Sequence, residues 1–329
     1  GVVGTQSIHA KVLGTNHPYY ALSCNNLALL YQAQGRYSKA ELLYLEAKAI
    51  NSNVLSTIHP DYATSCNNLA LLYQAQGRYS KAEPLYLKAK TIHAKVLGTT
   101  HPAYTTSCNN LATSYWEQKA FHQSFSLFQE AFVNINQQIK QNLAVTGEDA
   151  RRQFLQANIN YNYRMYYSFA YDYIDSLGIV QNDSALGLAY RNRLLTKSLL
   201  FNSTQKTKER IYKSGDSSMI KLYEQWIEKR TRYNKVLELT KEKRKLNGIN
   251  LNVLSEKADS LEKVLARKSV AFAKILEEYQ PHTWQEVQQK LRPHEAAIEV
   301  IRFRKYDKRW TDTVYYAALI VTPQSKFPY

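Results

Sequence analysis

The 329-residue sequence has three cysteines, Cys24, Cys66 and Cys108, set 42 residues apart. His17, His59 and His101 keep the same interval, each followed by proline, and so do the pairs Asn25–Asn26, Asn67–Asn68 and Asn109–Asn110. Thiol and imidazole groups could support nucleophilic catalysis or bind a metal. Either use requires the groups to converge, and a fixed period instead holds equivalent residues apart, on the order of 10 Å for stacked helices. That separation is too long for a disulfide or a shared metal. The cysteines are expected to be small buried thiols, which suits a reducing compartment and a cytoplasmic protein. His9 and His93 share another repeat position, and His122, His282 and His294 have no cysteine near them in sequence. No catalytic residue, metal ligand set or cofactor is therefore expected.

What positions these residues is a repeat. Residues 59–83 read HPDYATSCNNLALLYQAQGRYSKAE. Residues 17–41 differ only in having Tyr19 for Asp61 and Leu22 for Thr64, and a worn copy starts at His101. A period of this length marks a stacked array whose units cannot bury their apolar faces alone. Cys66, Leu69, Ala70 and Tyr73 form one helical stripe. Gly77 breaks that helix, and a second follows with Ala82, Leu85, Tyr86 and Ala89 inward. Pro60 sits at a helix start, where its missing N–H costs nothing. The spacing N-L-A-x-x-Y, then G-x-Y-x-x-A-x-x-x-Y-x-x-A, resembles the tetratricopeptide repeat. The 42-residue period headed by His-Pro resembles its kinesin-light-chain-like subtype.

On the first helix of each unit, Leu22, Asn26, Leu29 and Ala33 lie opposite the core stripe of Cys24, Leu27, Ala28 and Tyr31. In a superhelical array that surface is usually the concave groove. A peptide-binding groove is expected to use Asn25, Asn26, Leu29, Asn67, Asn68, Leu71, Asn109 and Asn110. The amides would pair with the main chain of a protein or peptide ligand. The competing reading has one asparagine of each pair joining neighbouring repeats.

Three regions are expected: repeats over 1–141, a helical linker over 142–280, and an incomplete α/β domain over 281–329. Ser7–Pro18 align with Thr91–Pro102, so the chain is expected to open inside the second helix of a repeat. The third copy degrades, with Lys119 replacing Gly35 and Gly77, as terminal repeats do. In the linker, tyrosines crowd 161–173, Asp183 or Ser184 caps a helix through Leu194, Leu195, Leu199 and Leu200, and Asp216 starts another. Leu222, Trp226, Tyr233 and Leu237 would face Leu254, Ala258, Leu261, Leu265, Phe272, Ile275 and Tyr279 in an antiparallel hairpin. Thr283 and Glu286 form a capping box, and 297–304 and 313–321 have strand composition. The fold class is thus all-α for most of the chain, a solenoid plus helical linker, ending in strands of an α/β domain.

The formal charge is +16, and between Thr204 and Lys268 the basic residues outnumber the acidic by 17 to 9. Nucleic acid could bind such a patch, including Lys241, Lys243, Arg244 and Lys245. Solvated faces of long helices account for the same residues. The tyrosine run is read as packing ahead of a base-stacking platform. No run of about 18 apolar residues occurs, so no membrane span is expected.

The order of repeats, basic linker, then Trp284, Val287, Leu291, Pro293 and Glu295–Glu299, then Tyr315–Val321, resembles the bacterial CHAT family. Its members carry a caspase-like domain beside such repeats. Residues Leu194, Lys197 and Leu199 also suit the family's linker. The resemblance implies a caspase-clan cysteine peptidase with a histidine base and a cysteine nucleophile. No cysteine follows Cys108, so no catalytic residue carries over and this stretch is expected to be inert. The repeats would then bind a partner, or the CHAT domain within the same chain, to control the protease. A non-catalytic repeat scaffold or adaptor is the alternative, and a nucleic-acid-associated regulator a weaker one.

Overall fold

The computed structural model describes residues 2–145, 160–178, 183–237, 247–248, 250–268 and 282–329. It divides into two compact units, Gly1–Gln138 and Ile139–Tyr329.

The first unit is a stack of helix pairs. Its helices are α1 (Val2–Leu13), α2 (Pro18–Ala33), α3 (Tyr37–Val54), α4 (Pro60–Ala75), α5 (Tyr79–Val96), α6 (Pro102–Glu117) and the greater part of α7 (Phe121–Val145). Each first helix opens at a His-Pro pair. The proline supplies a pre-set φ without losing a bond, and the histidine is the cap. His17, His59 and His101 accept at Nδ1 from the backbone N–H two residues on, at 3.2, 3.1 and 3.1 Å. The turn into the second helix needs a left-handed residue. Gly35 and Gly77 supply it at φ 72° and 71°. Lys119 holds the same conformation at φ 62°, at a cost of about 1–2 kcal/mol for a residue with a Cβ.

Small side chains let the paired helices approach. Ala28, Ala40, Ala47, Ala70, Ala82 and Ala89 are wholly buried. Cys66 is too, in a cluster with Tyr62, Ala63, Ala89 and Ile92, against which Leu85 packs. Tyr44 and Tyr86 fill the wider gaps, donating to Gln32 Oε1 at 3.2 Å and Gln74 Oε1 at 2.6 Å. Burial pushes the Tyr44 phenol up to about 12.

The second unit contains α8 (Asn160–Leu177), α9 (Asp183–Lys213), α10 (Ser217–Leu237), α11 (Leu251–Lys268), α12 (Trp284–Gln288), β1 (Ala297–Tyr306) and β2 (Trp310–Val321). The strands form one antiparallel hairpin, with Val300 opposite Ala318 and an irregularity between Arg304 and Tyr306. The tyrosines of α8 pack on it. Tyr171 stacks on Tyr315 at 4.8 Å, and Tyr167 lies 6.3 Å from Phe303. Tyr166 donates to Ala185 O at 2.9 Å.

Helices α10 and α11 pack together through Met219, Tyr223, Trp226 and Leu265, with Leu222 and Leu261 beside them. Asp216 caps α10, accepting from Ser218 N at 2.9 Å and Met219 N at 3.1 Å. The Thr283–Glu286 capping box is formed as expected. Phe272, Ile275, Tyr279 and Lys241–Lys245 lie outside the described residues. So does the orientation of the Leu199 and Leu200 side chains.

Candidate functional site

One polar seam recurs at the junctions between repeats. Near the end of each second helix, one residue reaches the serine of the next first helix. His9 Nδ1 shares a hydrogen bond with Ser23 Oγ at 2.7 Å, Asn51 Nδ2 donates to Ser65 Oγ at 3.0 Å, and His93 Nδ1 meets Ser107 Oγ at 2.9 Å. Asn25 Nδ2 also donates to Ser65 Oγ, at 3.3 Å. A second seam joins Glu41 to Tyr73 Oη and Arg78 Nη1, both at 2.9 Å. Burial raises the Glu41 carboxyl, but the hydrogen bonds from Arg78 and Tyr73 prevail and hold it below its ordinary value. Tyr115 repeats the contact on Glu83 at 2.6 Å, whereas Ala120 stands where the arginine would be.

The expected ladder of amides divides between two environments. Asn25, Asn67 and Asn109 are buried. Asn26 is exposed, while Asn68 and Asn110 are half-buried. Adjacent helical residues point about 100° apart, so only one of each pair can face out. Asn110 Nδ2 still donates to Asn67 Oδ1 at 3.2 Å. Beside the outward amides, Leu22 and Leu29 are 52% and 60% exposed, and Leu71 is half-buried. This outward first-helix face holds no lysine or arginine on α2, α4 or α6.

Two of these first helices border a notch of about 130 Å³, lined by Tyr19, Leu22, Asn25, Asn51, Asp61 and Thr64 among others. The seam serines and the His-Pro caps were not identifiable as bonding partners from the sequence, although their shared 42-residue interval is the signal that marks them.

Residues 21–61 and 61–132 match models of the tetratricopeptide repeat. The array is a stack of tetratricopeptide repeats. Among solved structures these repeats are similar to BtubC (BKLC) from P. vanneervenii, at 20% identity and TM-score 0.43, over 55% of this chain and 66% of that one. The chain thus spans just under two thirds of that protein. They are also similar to the nearly identical TPR-like repeats of a Podosopora anserina kinesin light chain, at 24% identity and TM-score 0.40, covering 60% and 85% of the two chains. A single-residue variant of that protein gives 23% and 0.40. No curated protein matches the sequence.

The cysteines of the tetratricopeptide repeats are buried and free. Burial pushes the Cys66 thiol up, and burial with the Glu130 charge takes Cys108 to about 12. An activated nucleophile needs the opposite shift. Among the described residues no three acidic, histidine or cysteine side chains gather as a metal site, and no helix is long and apolar enough to cross a membrane. In the second unit a larger cavity of about 460 Å³ is walled by Tyr167, Ala170, Leu186, Phe303 and Leu319, with Asp175 also in its lining.

Proposed function

We propose that the outward first-helix face of the tetratricopeptide repeats binds an extended segment of another protein, making this chain an interaction module. The observation that carries it is the repetition of outward amide and leucine side chains, Asn26 with Leu29 and Asn68 with Leu71, on a face the core does not use. An amide can donate to and accept from a peptide backbone at once, and exposed leucines supply apolar contact beside it. The test is selection of a displayed random peptide library against the chain, followed by NMR mapping of the selected peptides. Bound peptides should perturb α2, α4 and α6. Asn26→Ala with Asn68→Ala should weaken them by about 1–3 kcal/mol, the cost of unpaired polar groups. Loss of melting temperature with affinity unchanged would refute the assignment.

A finer reading makes the module the regulatory arm of a CHAT-type caspase-like peptidase. It is supported by the resemblance of Trp284–Val321 and by the capping box and strand hairpin found there. In that reading the bound segment comes from a partner or from the peptidase domain itself. A longer form of the protein carrying a histidine and a cysteine on later strands should cleave peptides, and its activity should respond to the Asn26/Asn68 pair. Three reduced buried thiols suit a cytoplasmic setting for either reading.

A further inference from the structure

Tyr20, Tyr62 and Tyr104 stand at the same place near the start of α2, α4 and α6. Each meets one residue from the second helix before it and one from the second helix after it. The preceding seat holds Gln6, Lys48 and Lys90 in turn, and the following seat holds Glu46, Lys88 and Glu130. In the first junction Gln6 Nε2 donates to Tyr20 Oη at 3.5 Å, and that hydroxyl donates to Glu46 Oε1 at 3.2 Å. In the third, Glu130 is held from two sides. Tyr104 Oη donates to its Oε1, and Lys90 Nζ donates to its Oε2 at 2.8 Å.

The second junction has the same donors and no carboxylate. Lys48 Nζ stands 5.9 Å from the centre of the Tyr62 ring, much as Lys90 Nζ stands 5.7 Å from that of Tyr104. Lys88, in the seat of the two glutamates, brings a second ammonium to 5.2 Å from the Tyr62 ring. Burial raises all three phenols. Glu46 and Glu130 add to that at Tyr20 and Tyr104, whereas the Lys88 charge opposes it at Tyr62. An amide with a carboxylate, two ammoniums, and an ammonium with a carboxylate thus follow one another along the array. Only the middle pair lacks a counter-charge among the described residues.

We propose that the Tyr62 junction is a carboxylate-binding site between α3 and α5, and that it takes an acidic side chain of a partner protein. Glu130 is the template, since it shows what a tyrosine hydroxyl and a lysine of the preceding helix hold on this backbone. At Tyr62 the hydroxyl and Lys48 occupy the matching places, and Lys88 supplies a further donor. Hydrogen bonds to an ionised acceptor are the stronger kind, and two like charges with no counter-charge between them gain from an anion. Lys48 is half-buried and Lys88 exposed, so a side chain from outside can reach both. Because the fold already places a carboxylate on this tyrosine in both flanking junctions, aspartate or glutamate is favoured over phosphate. The two lysines belong to second helices, so the site shares no residue with the first-helix face and does not depend on the segment-binding reading above.

The probe is acetyl-tetraglutamate amide, titrated into the full chain at constant ionic strength with acetyl-tetraglutamine amide as the uncharged control. The Tyr62 ring resonance, assigned as the signal missing from Tyr62→Phe, reports binding. A saturable shift is expected with the glutamate peptide alone. Lys88→Glu gives the seat the residue both neighbouring junctions carry, so the carboxylate is then supplied from within. That variant should melt no lower than the parent and lose about tenfold or more in affinity, the worth of a hydrogen bond to a charged group. Lys48→Met, which keeps the apolar stem, should lose a comparable factor. Lys95→Glu makes the same charge change about two turns further along α5 and should lose less than about threefold, as a distant screened charge does. Equal losses in Lys88→Glu and Lys95→Glu would reduce the effect to net charge and overturn the site. So would a Tyr62 signal that does not saturate, or a Lys88→Glu protein that melts well below the parent. Tighter binding of inorganic phosphate than of the glutamate peptide, lost in Lys88→Glu, would exclude an acidic side chain as the occupant.

Discussion

The two junctions flanking the second complete repeat are nearly the same object built with different polar residues. Both bring the end of a second helix onto a serine, Ser65 in one and Ser107 in the other, at 3.0 and 2.9 Å. The first uses Asn51, with Asp61 at the notch rim; the second uses His93 with Ala103. The fold therefore asks only for a side chain that can bond the serine. What else that side chain does is free to vary, and here the variation separates an uncharged seam from a seam that can titrate.

The sharpest way to break this equivalence is through the core beneath it. Tyr44 and Tyr86 occupy matching positions, each with its hydroxyl on a glutamine of the preceding helix. Replacing either by alanine should cost about 3–5 kcal/mol, by the cavity left and the packing lost. Urea unfolding of the two variants should give values that agree closely. A gap larger than the measurement error would show that the two helix pairs on either side of the Asn51 junction differ in strength.

The repeat architecture was legible because its signal is redundant. The stripe of Cys66, Leu69, Ala70 and Tyr73 is buried throughout, and the turn residues sit where the sequence places them. The division of labour within each Asn-Asn pair was not legible. Both members recur with the same period, and only the helical rotation between neighbours and the facing Ser65 decide that Asn25 turns in and Asn26 out. In the second unit the tyrosine run announced packing without its partner. That partner is a strand pair more than a hundred residues later, where Phe303 and Tyr315 meet Tyr167 and Tyr171. Sequence periodicity carries no information about such long-range faces.

A smaller effect tests whether the cysteine column is equivalent across junctions. Cys66→Ala should cost on the order of 1 kcal/mol, the loss of one small buried group. A thiol reagent should label Cys24, Cys66 and Cys108 slowly until the protein unfolds, because all three are wholly buried with thiols raised by burial. Rapid labelling of the native protein would remove them from the core.

The smallest expected effect separates the seams by pH. His93 is 4% exposed and its Nε2 has no hydrogen-bond partner. Burial lowers its pKa below 6.5, the nearby His101 adds to that, and backbone oxygens of Pro60 and Ala103 oppose it. A histidine depressed in the fold binds its proton more weakly than in the unfolded chain. Its contribution is full above about 6.5 and is lost as pH falls from there through the folded value, since stability rises with pH wherever the unfolded state holds more protons. Asn51, in the same seat, has no proton to gain. His93→Asn, the residue the preceding junction already uses, should therefore remove part of the fall in stability between about pH 6.5 and 5 and leave stability at pH 8 close to that of the parent. The slope removed cannot exceed one proton's worth, which makes it the smallest of these effects. Chemical denaturation at the two pH values measures it. An unchanged acid slope in the variant would mean that the His93 seam accommodates the charge.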